Sequence, residues 1–258
     1  MIQIALPEDF MSFDIETGPL PDEELVKLCP AAKLPEHPGE FDPANVKTGN
    51  LKDPIKIQEK NNAAIMAHGL AVETYGDACL IAEQQNFAAF RDKAALSATT
   101  GRVVAVGVVN AMDIDIIGDN QESEEFILSE FWNTVVECLK FNIPMVGFNT
   151  KGFDLPFLVR RSWILGVPIP AGIRSGRYWS DSFVDLMEVW NQGERGYVKL
   201  DTLCAAFGLP GKVTEVDGVE VSGATFHEIW ETNREVAVEY LKGDIMLPVE
   251  LARRMGVV

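Results

Sequence analysis

Along this chain the hydrophobic and polar positions switch between strand-like and helix-like spacing. Residues 10–16, FMSFDIE, are mostly apolar until two acids arrive, and Thr17, Gly18 and Pro19 follow, which predicts a buried strand closed by a turn. Residues 20–55 are rich in Pro, Gly, Asn and Asp and read as a long irregular connection. Asp53 and Pro54 then form an N-cap and first-turn pair for an Ala-rich, helix-favouring stretch from Ile55 to about Leu96, with Gly69 and Gly76 as candidate breaks. Residues 20–100 therefore read as an insertion after the first strand.

Beyond the insertion, Gly101 opens the β-branched run RVVAVGVVN, and MDIDIIGDN alternates as a partly exposed strand does, predicting a hairpin near Asn110 and Ala111. From Glu122 to Lys140, Phe126, Ile127, Phe131, Val135 and Leu139 fall at helical spacing. PMVGFN is a further short buried strand, and GFDLPFLVRRSWILG reads as a helix begun at Gly152. KLDTLCAAFG and roughly Ala224 to Met255 complete the set as helices, with Pro248 a candidate break in the last. This order of strands and helices predicts an α/β fold, a layered sheet with helices on both sides, built as one domain over 1–258.

With 258 residues, 47% of them hydrophobic, the chain can bury one substantial core or two small ones. No run of about 18 apolar residues predicts a membrane span. The N-terminus MIQIALPEDF lacks the basic start and long apolar stretch of a signal peptide, so a cytoplasmic location is expected. Cys29, Cys79, Cys138 and Cys204 show no CxxC spacing and no cluster with His37, His68 and His227, which argues against a zinc site or disulfide framework.

A formal charge of −17 opposes nucleic-acid binding, because Lys and Arg contacts to phosphate supply most of such affinity. Locally the balance reverses. From Lys151 to Ser180 the only acid is Asp154, while Lys151, Arg160, Arg161, Arg174 and Arg177 are basic and Phe153, Trp163, Tyr178 and Trp179 lie among them. Such a strip suits a single strand; a solvated helix face with core aromatics is the competing interpretation.

Chemistry enters with the acids. In DIE, Asp14 and Glu16 project from one face of a strand, side by side at its end. In NTKGFD, Asn149 ends a strand and Asp154 begins a helix. In YLKGD, Tyr240 and Asp244 share one helix face, a phenol beside a carboxylate. Taken singly, a solvated turn, a helix cap and chance would explain each.

In order, the three motifs resemble the DEDD superfamily of 3′-to-5′ exonucleases, in its tyrosine branch (DEDDy), typified by the proofreading domains of family A and B DNA polymerases. The stretches GFNTKGFDLPFLVRR (147–161) and KLDTLCAAFGLPGK (199–212) also look like the stand-alone exonucleases related to the family B proofreading domain. The resemblance covers about 9–18 and 101–250 and leaves the insertion unmatched.

It implies a ribonuclease-H-like layered fold with a mixed central sheet, its first three strands an antiparallel meander and later strands added beside the first. It also implies metal ligation by Asp14, Glu16, Asp154 and Asp244, with Tyr240 orienting the attacking water. Four carboxylates without nitrogen or sulfur donors favour two hard divalent cations, Mg²⁺ or Mn²⁺. The implied substrate is the 3′ end of single-stranded nucleic acid, DNA favoured over RNA, with Asn149, Phe153, Arg160, Arg161 and Arg177 as candidate contacts and a polymerase or replication protein as a possible partner.

Asp185 and Lys212 fall where this family often carries an acid and a lysine, but read more simply as a cap and a solvated lysine, and His227 as a surface or packed residue. The rival readings are a non-catalytic binding or polymerase-accessory module of the same fold, a ribonuclease-H-like endonuclease, and a structural calcium site.

Overall fold

A computed structural model describes residues 10–110, 113–120, 122–171, 173 and 180–257. In chain order the elements are β1 (Met11–Pro19), α1 (Asp22–Leu28), a 3₁₀ turn (Pro43–Asn45), α2 (Pro54–Ala94), β2 (Gly101–Val109), β3 (Ile114–Ile117) and α3 (Glu124–Phe141). There follow β4 (Met145–Gly147), α4 (Asp154–Leu165), β5 (Phe183–Asp185), α5 (Leu186–Asn191), α6 (Leu200–Ala206), β6 (Glu215–Val216), β7 (Val219–Glu220), α7 (Phe226–Thr232) and α8 (Arg234–Met255). They divide into two compact units, residues 22–92 and the remainder.

The larger unit is built on a five-stranded sheet in the order β3-β2-β1-β4-β5. β1, β2 and β3 pair antiparallel, and β4 and β5 join parallel beside β1. The alternation of β1 decides what each face carries. Met11, Phe13 and Ile15 point into a core shared with α3 and α4, where Phe13 is wholly buried and its ring lies 5.3 Å from Phe131 and 6.3 Å from Phe183. Ser12, Asp14 and Glu16 therefore turn to the opposite face, the one covered by α8. Losing the Phe13 ring would cost about 3–5 kcal/mol.

β1 does not stop at the acids. It runs on to Pro19, paired throughout with β2, and the register shifts between Glu16 and Thr17, which face Ala105 and Val103. Val104 is the extra residue of a β-bulge, so Val104 and Ala105 both lie against α7 and α8 while Val103 and Val106 face the other core.

α8 comes close to the sheet because Gly107, which pairs with Asp14, has no side chain: a Cβ there would lie 3.0 Å from Ile245. The helix is unbroken through Pro248, and the interruption falls earlier, at Asn233, which caps α8 by accepting from the Val236 N–H. Pro248 instead lacks the N–H that would have bonded the Asp244 carbonyl.

In residues 22–92, α2 runs 41 residues without a break at Gly69 or Gly76. The preceding connection is not irregular throughout: α1 forms first, and the rest is laid back along α2. Asn86 donates to the Pro30 carbonyl at 2.8 Å, the His37 ring meets Tyr75 at 4.6 Å, and Phe41 meets His68 at 5.5 Å. No helix among the described residues is long and apolar enough to cross a membrane.

Candidate active site

Three separated segments of the larger unit bring the expected residues to one cleft of about 310 Å³. β1 brings Asp14 and Glu16, the start of α4 brings Asp154, and α8 brings Tyr240 and Asp244. Asn149 and Phe153, from the turn between β4 and α4, line the same cleft. Helical spacing puts Tyr240 and Asp244 on the buried side of α8, each 2% exposed.

Asp154 holds its place by crossing to the sheet: its Oδ1 accepts the Ile15 N–H at 3.2 Å, the amide between the two acids of β1. The bond ties α4 to the middle of β1 and works as more than a cap on its own helix. Asp185 does cap α5, accepting from Met187 at 2.9 Å, and it also accepts from the amides of Asn149 and Lys151 at 2.9 Å each. Asn149 takes a left-handed backbone, φ 59°, inside this turn. A buried carboxylate thus fixes the loop that carries Asn149 and Phe153 to the cleft.

Lys212, read from the sequence as a solvated lysine, has its ammonium in the cleft, 2.8 Å from Asp244 Oδ2. Its own amide donates to Asp201 Oδ1 at 2.8 Å, and Gly243 lets the loop approach, since a Cβ there would meet Val213 at 2.8 Å. The sequence signal was the GLPGK turn; that it folds back over α8 is a tertiary fact with no local trace. Tyr197, Lys199 and Asp201 also line the cleft without having been singled out.

The other candidates fare differently. Arg161 is not available to a phosphate: it is 3% exposed and makes a two-pronged pair with Glu124, at 2.8 and 2.6 Å, plus a 3.1 Å bond to the Ala98 carbonyl. Its place on the inner side of α4, with an acid waiting on α3, decides this. Lys151 pairs with Glu188 at 2.9 Å, so two members of the basic strip are already engaged. Arg160 is exposed on α4 and does not line the cleft. Arg174, Arg177, Tyr178 and Trp179 lie outside the described residues.

Crowding of acids shapes the electrostatics. Burial, offset in part by Lys212, and the nearby Asp244 push the Asp14 carboxyl up to about 6. Burial and the neighbouring Asp14 raise Glu16 and Asp154 well above the usual carboxylate range. Burial would lower the Lys212 ammonium, but Asp244 and Asp14 outweigh it and hold it firmly charged. Burial, then the charges of Asp244 and Glu16, raise the Tyr240 phenol, which therefore keeps its proton at neutral pH.

Among the described residues no three His, Cys, Asp or Glu side chains stand ready-made as a metal cage, so a cation would have to draw the carboxylates inward. The donor set nonetheless fits a hard divalent cation. All four acids are oxygen donors, burial and the neighbouring acids hold three of them above the usual carboxylate range, and Asp244 Oδ1 is buried without a hydrogen-bond partner.

A five-stranded mixed sheet with helices on both faces and an acidic cleft over its first strand defines the ribonuclease-H-like class. Residues 94–247 match the family described as "Predicted 3'-5' exonuclease related to the exonuclease domain of PolB", and the chain belongs to that family. The matched span contains Asp154, Lys212, Tyr240 and Asp244; Asp14, Glu16 and residues 22–92 precede it.

DNA polymerase 2 of Aeropyrum pernix is 29% identical over 167 residues, 59% of this chain and 20% of that protein. The structure of the family B DNA polymerase from Pyrobaculum calidifontis is similar with a TM-score of 0.52 at 18% identity, covering 96% of this chain and 24% of that one. The chain thus spans about a fifth to a quarter of these polymerases' length.

Proposed function

We propose that the chain is a metal-dependent 3′-to-5′ exonuclease of the DEDDy type, acting on the 3′ end of single-stranded nucleic acid, DNA in preference to RNA. The observation that carries this reading is the meeting of Asp14, Glu16, Asp154, Tyr240 and Asp244 in one cleft, from segments far apart in sequence. Two divalent cations, Mg²⁺ or Mn²⁺, would supply an activated water and charge relief on the departing 3′ oxygen. Asp14, Glu16, Asp154 and Asp244 would hold them, and the cations would offset the mutual repulsion of these carboxylates.

Tyr240 acts as a donor that aims the water, because a phenol with a raised pKa does not take a proton at neutral pH. Lys212 offers a permanent positive charge beside the scissile phosphate. Asn149 and Phe153 supply an amide and a ring face to the terminal nucleotides. Residues 22–92 are an added module on a single ribonuclease-H-like domain, and a polymerase is the partner to which proofreading would couple the activity.

The test is incubation of 3′-end-labelled and circular single-stranded DNA, and the matching RNAs, with Mg²⁺, Mn²⁺ or EDTA. Release of mononucleotides from linear DNA that EDTA abolishes is expected. Cutting of circles would replace the reading with an endonuclease, and inertness with every cation would leave a binding module. Tyr240→Phe should slow release by about 10- to 100-fold, measured under single-turnover conditions, with metal dependence unchanged.

A further inference from the structure

The connection between α5 and α6, residues 192–199, reaches the cleft through Tyr197 and Lys199. Its far end is anchored from within: Val198 and Leu200 pack into the core that α6 shares with α8, and Leu200 is buried. Alternation then turns Tyr197 and Lys199 outward, and Arg195, two residues earlier, is exposed as well. The preceding turn is fixed by Asn191, whose side-chain amide donates to the Gly196 carbonyl at 2.8 Å and whose backbone carbonyl accepts the Glu194 N–H at 2.8 Å. Tyr197 is thus held in place by its neighbours' contacts, not by contacts of its own ring.

Packing accounts for none of the three outward side chains. Tyr197 is 72% exposed, and among the described residues its ring meets no other ring and its hydroxyl has no hydrogen-bond partner. Phe153 in the same cleft is backed by Phe157, with ring centroids 5.6 Å apart. Lys199 and Arg195 make no ion pair among the described residues of a chain whose net charge is −17. Lys151, Arg161 and Lys212, by contrast, are engaged by Glu188, Glu124 and Asp244. An uncovered ring between two uncompensated cations, at the rim of an acidic cleft, suits a ligand with a flat aromatic face and flanking negative charges. A nucleotide in a strand offers both, and only an unpaired one can give a base face to the ring, because a duplex base has its faces covered by its neighbours.

We propose that residues 195–199 form a further subsite for the substrate strand, in which Tyr197 stacks on an unpaired base while Lys199 and Arg195 contact the phosphates beside it. The subsite rests on the nuclease reading for the identity of its ligand, but it uses none of the carboxylates that would carry the chemistry. Every base has a ring face, so the subsite is indifferent to sequence and selects unpaired over paired ends.

Binding of fluorescein-labelled oligo(dT) to the full chain, with Ca²⁺ as the added cation and the oligonucleotide checked for intact length, tests it apart from catalysis. Tyr197→Ala should raise the dissociation constant about tenfold and Tyr197→Phe by less than about twofold, both with wild-type circular dichroism. An abasic site moved stepwise from the 3′ end should weaken wild-type binding at one position and leave Tyr197→Ala unaffected there, a coupling that a merely structural role would not produce. Lys199→Ala and Arg195→Ala should each lower the slope of log affinity against log salt by about 0.7, whereas Tyr197→Ala keeps the slope. An affinity indifferent to Tyr197→Ala, or an abasic penalty equal in both chains at every position, would overturn the subsite, and degradation of linear DNA by the same chain would leave the nuclease reading standing. A tenfold Tyr197 effect in a chain inert with every cation would uphold the subsite and overturn the nuclease. A wild-type chain that binds no single strand would overturn both.

Discussion

In the larger unit Phe13, Phe131 and Phe183 are shut between a sheet and two helices, whereas in residues 22–92 only Leu25 is buried and α2 turns Met66 and Leu70 to solvent. The first is ordered by long-range burial, which can hold four repelling acids at fixed places. The second is ordered by helix propensity and a strap of contacts along one helix face, with little apolar area removed from water inside the unit. A scaffold that must keep like charges together needs the former, while a single long helix can be held by the latter.

The sharpest break of this contrast is at the acids. Asp14→Ala should lower phosphodiester hydrolysis by about three to four orders of magnitude, about 4–5 kcal/mol of lost barrier reduction. It should leave the metal-free midpoint of unfolding equal or higher, because it removes a carboxyl whose repulsion of Glu16 and Asp154 the fold must contain. Activity assays beside thermal denaturation check both halves, and a lower midpoint would mean that Asp14 holds β1 structurally. Arg161→Ala is the converse case. It strands the partly buried Glu124 carboxylate, which also accepts from the Val103 amide at 2.8 Å, and should cost about 3 kcal/mol in denaturant unfolding of the larger unit.

Arg161 also marks a limit of what could be read from the chain. Its neighbours Arg160 and Trp163 are exposed, and nothing in VRRSW says which arginine turns inward; that depends on Glu124, thirty-seven residues away. The acids were legible because strand and helix periods alone put Asp14 beside Glu16 and Tyr240 beside Asp244. The order of β1, β2, β3, α3, β4 and α4 was legible for the same reason.

The two-residue strands β6 and β7 escaped, although Asp217 and Gly218 both take left-handed backbones, φ 51° and 79°, as a tight hairpin turn requires. Strands that short have no period to detect. β5, three residues ending in Asp185, escaped likewise. Lys212 was visible as a residue but not as part of the cleft, since its position comes from a loop folding back over Gly243.

A smaller effect should follow from pH and metal together. Asp14 moves from an ordinary 3.8 up to about 6, and Glu16 and Asp154 move the same way. A carboxyl raised on folding contributes stability that is complete below its unfolded value and is lost as pH rises through its folded value. For Asp14 that contribution is lost in a window opening near 4 and passing through about 6, and those of Glu16 and Asp154 are lost in the same direction as pH rises. Mg²⁺ binds the ionised forms, so the rise in unfolding midpoint on adding it should be small at about pH 5 and should approach 2–3 kcal/mol at about pH 8 with metal near a hundredfold above its dissociation constant. Calorimetry with and without EDTA measures this; an equal gain at both pH values would place the bound cation away from these carboxyls.

The smallest effect probes the other unit. Gly76 lies inside α2 with no positive φ, and a Cβ added there meets nothing within 4 Å. Replacing it with alanine removes backbone freedom from the unfolded chain at no steric cost, so Gly76→Ala should stabilise the helix by about 0.5–1 kcal/mol. Because residues 22–92 have so little core, the gain should be local: hydrogen exchange along α2 should slow by about fivefold while β1 and β2 exchange as before. Slowing of β1 and β2 by the same factor would show that the long helix and the sheet open together, and the contrast between a buried unit and a strapped one would then describe static packing only.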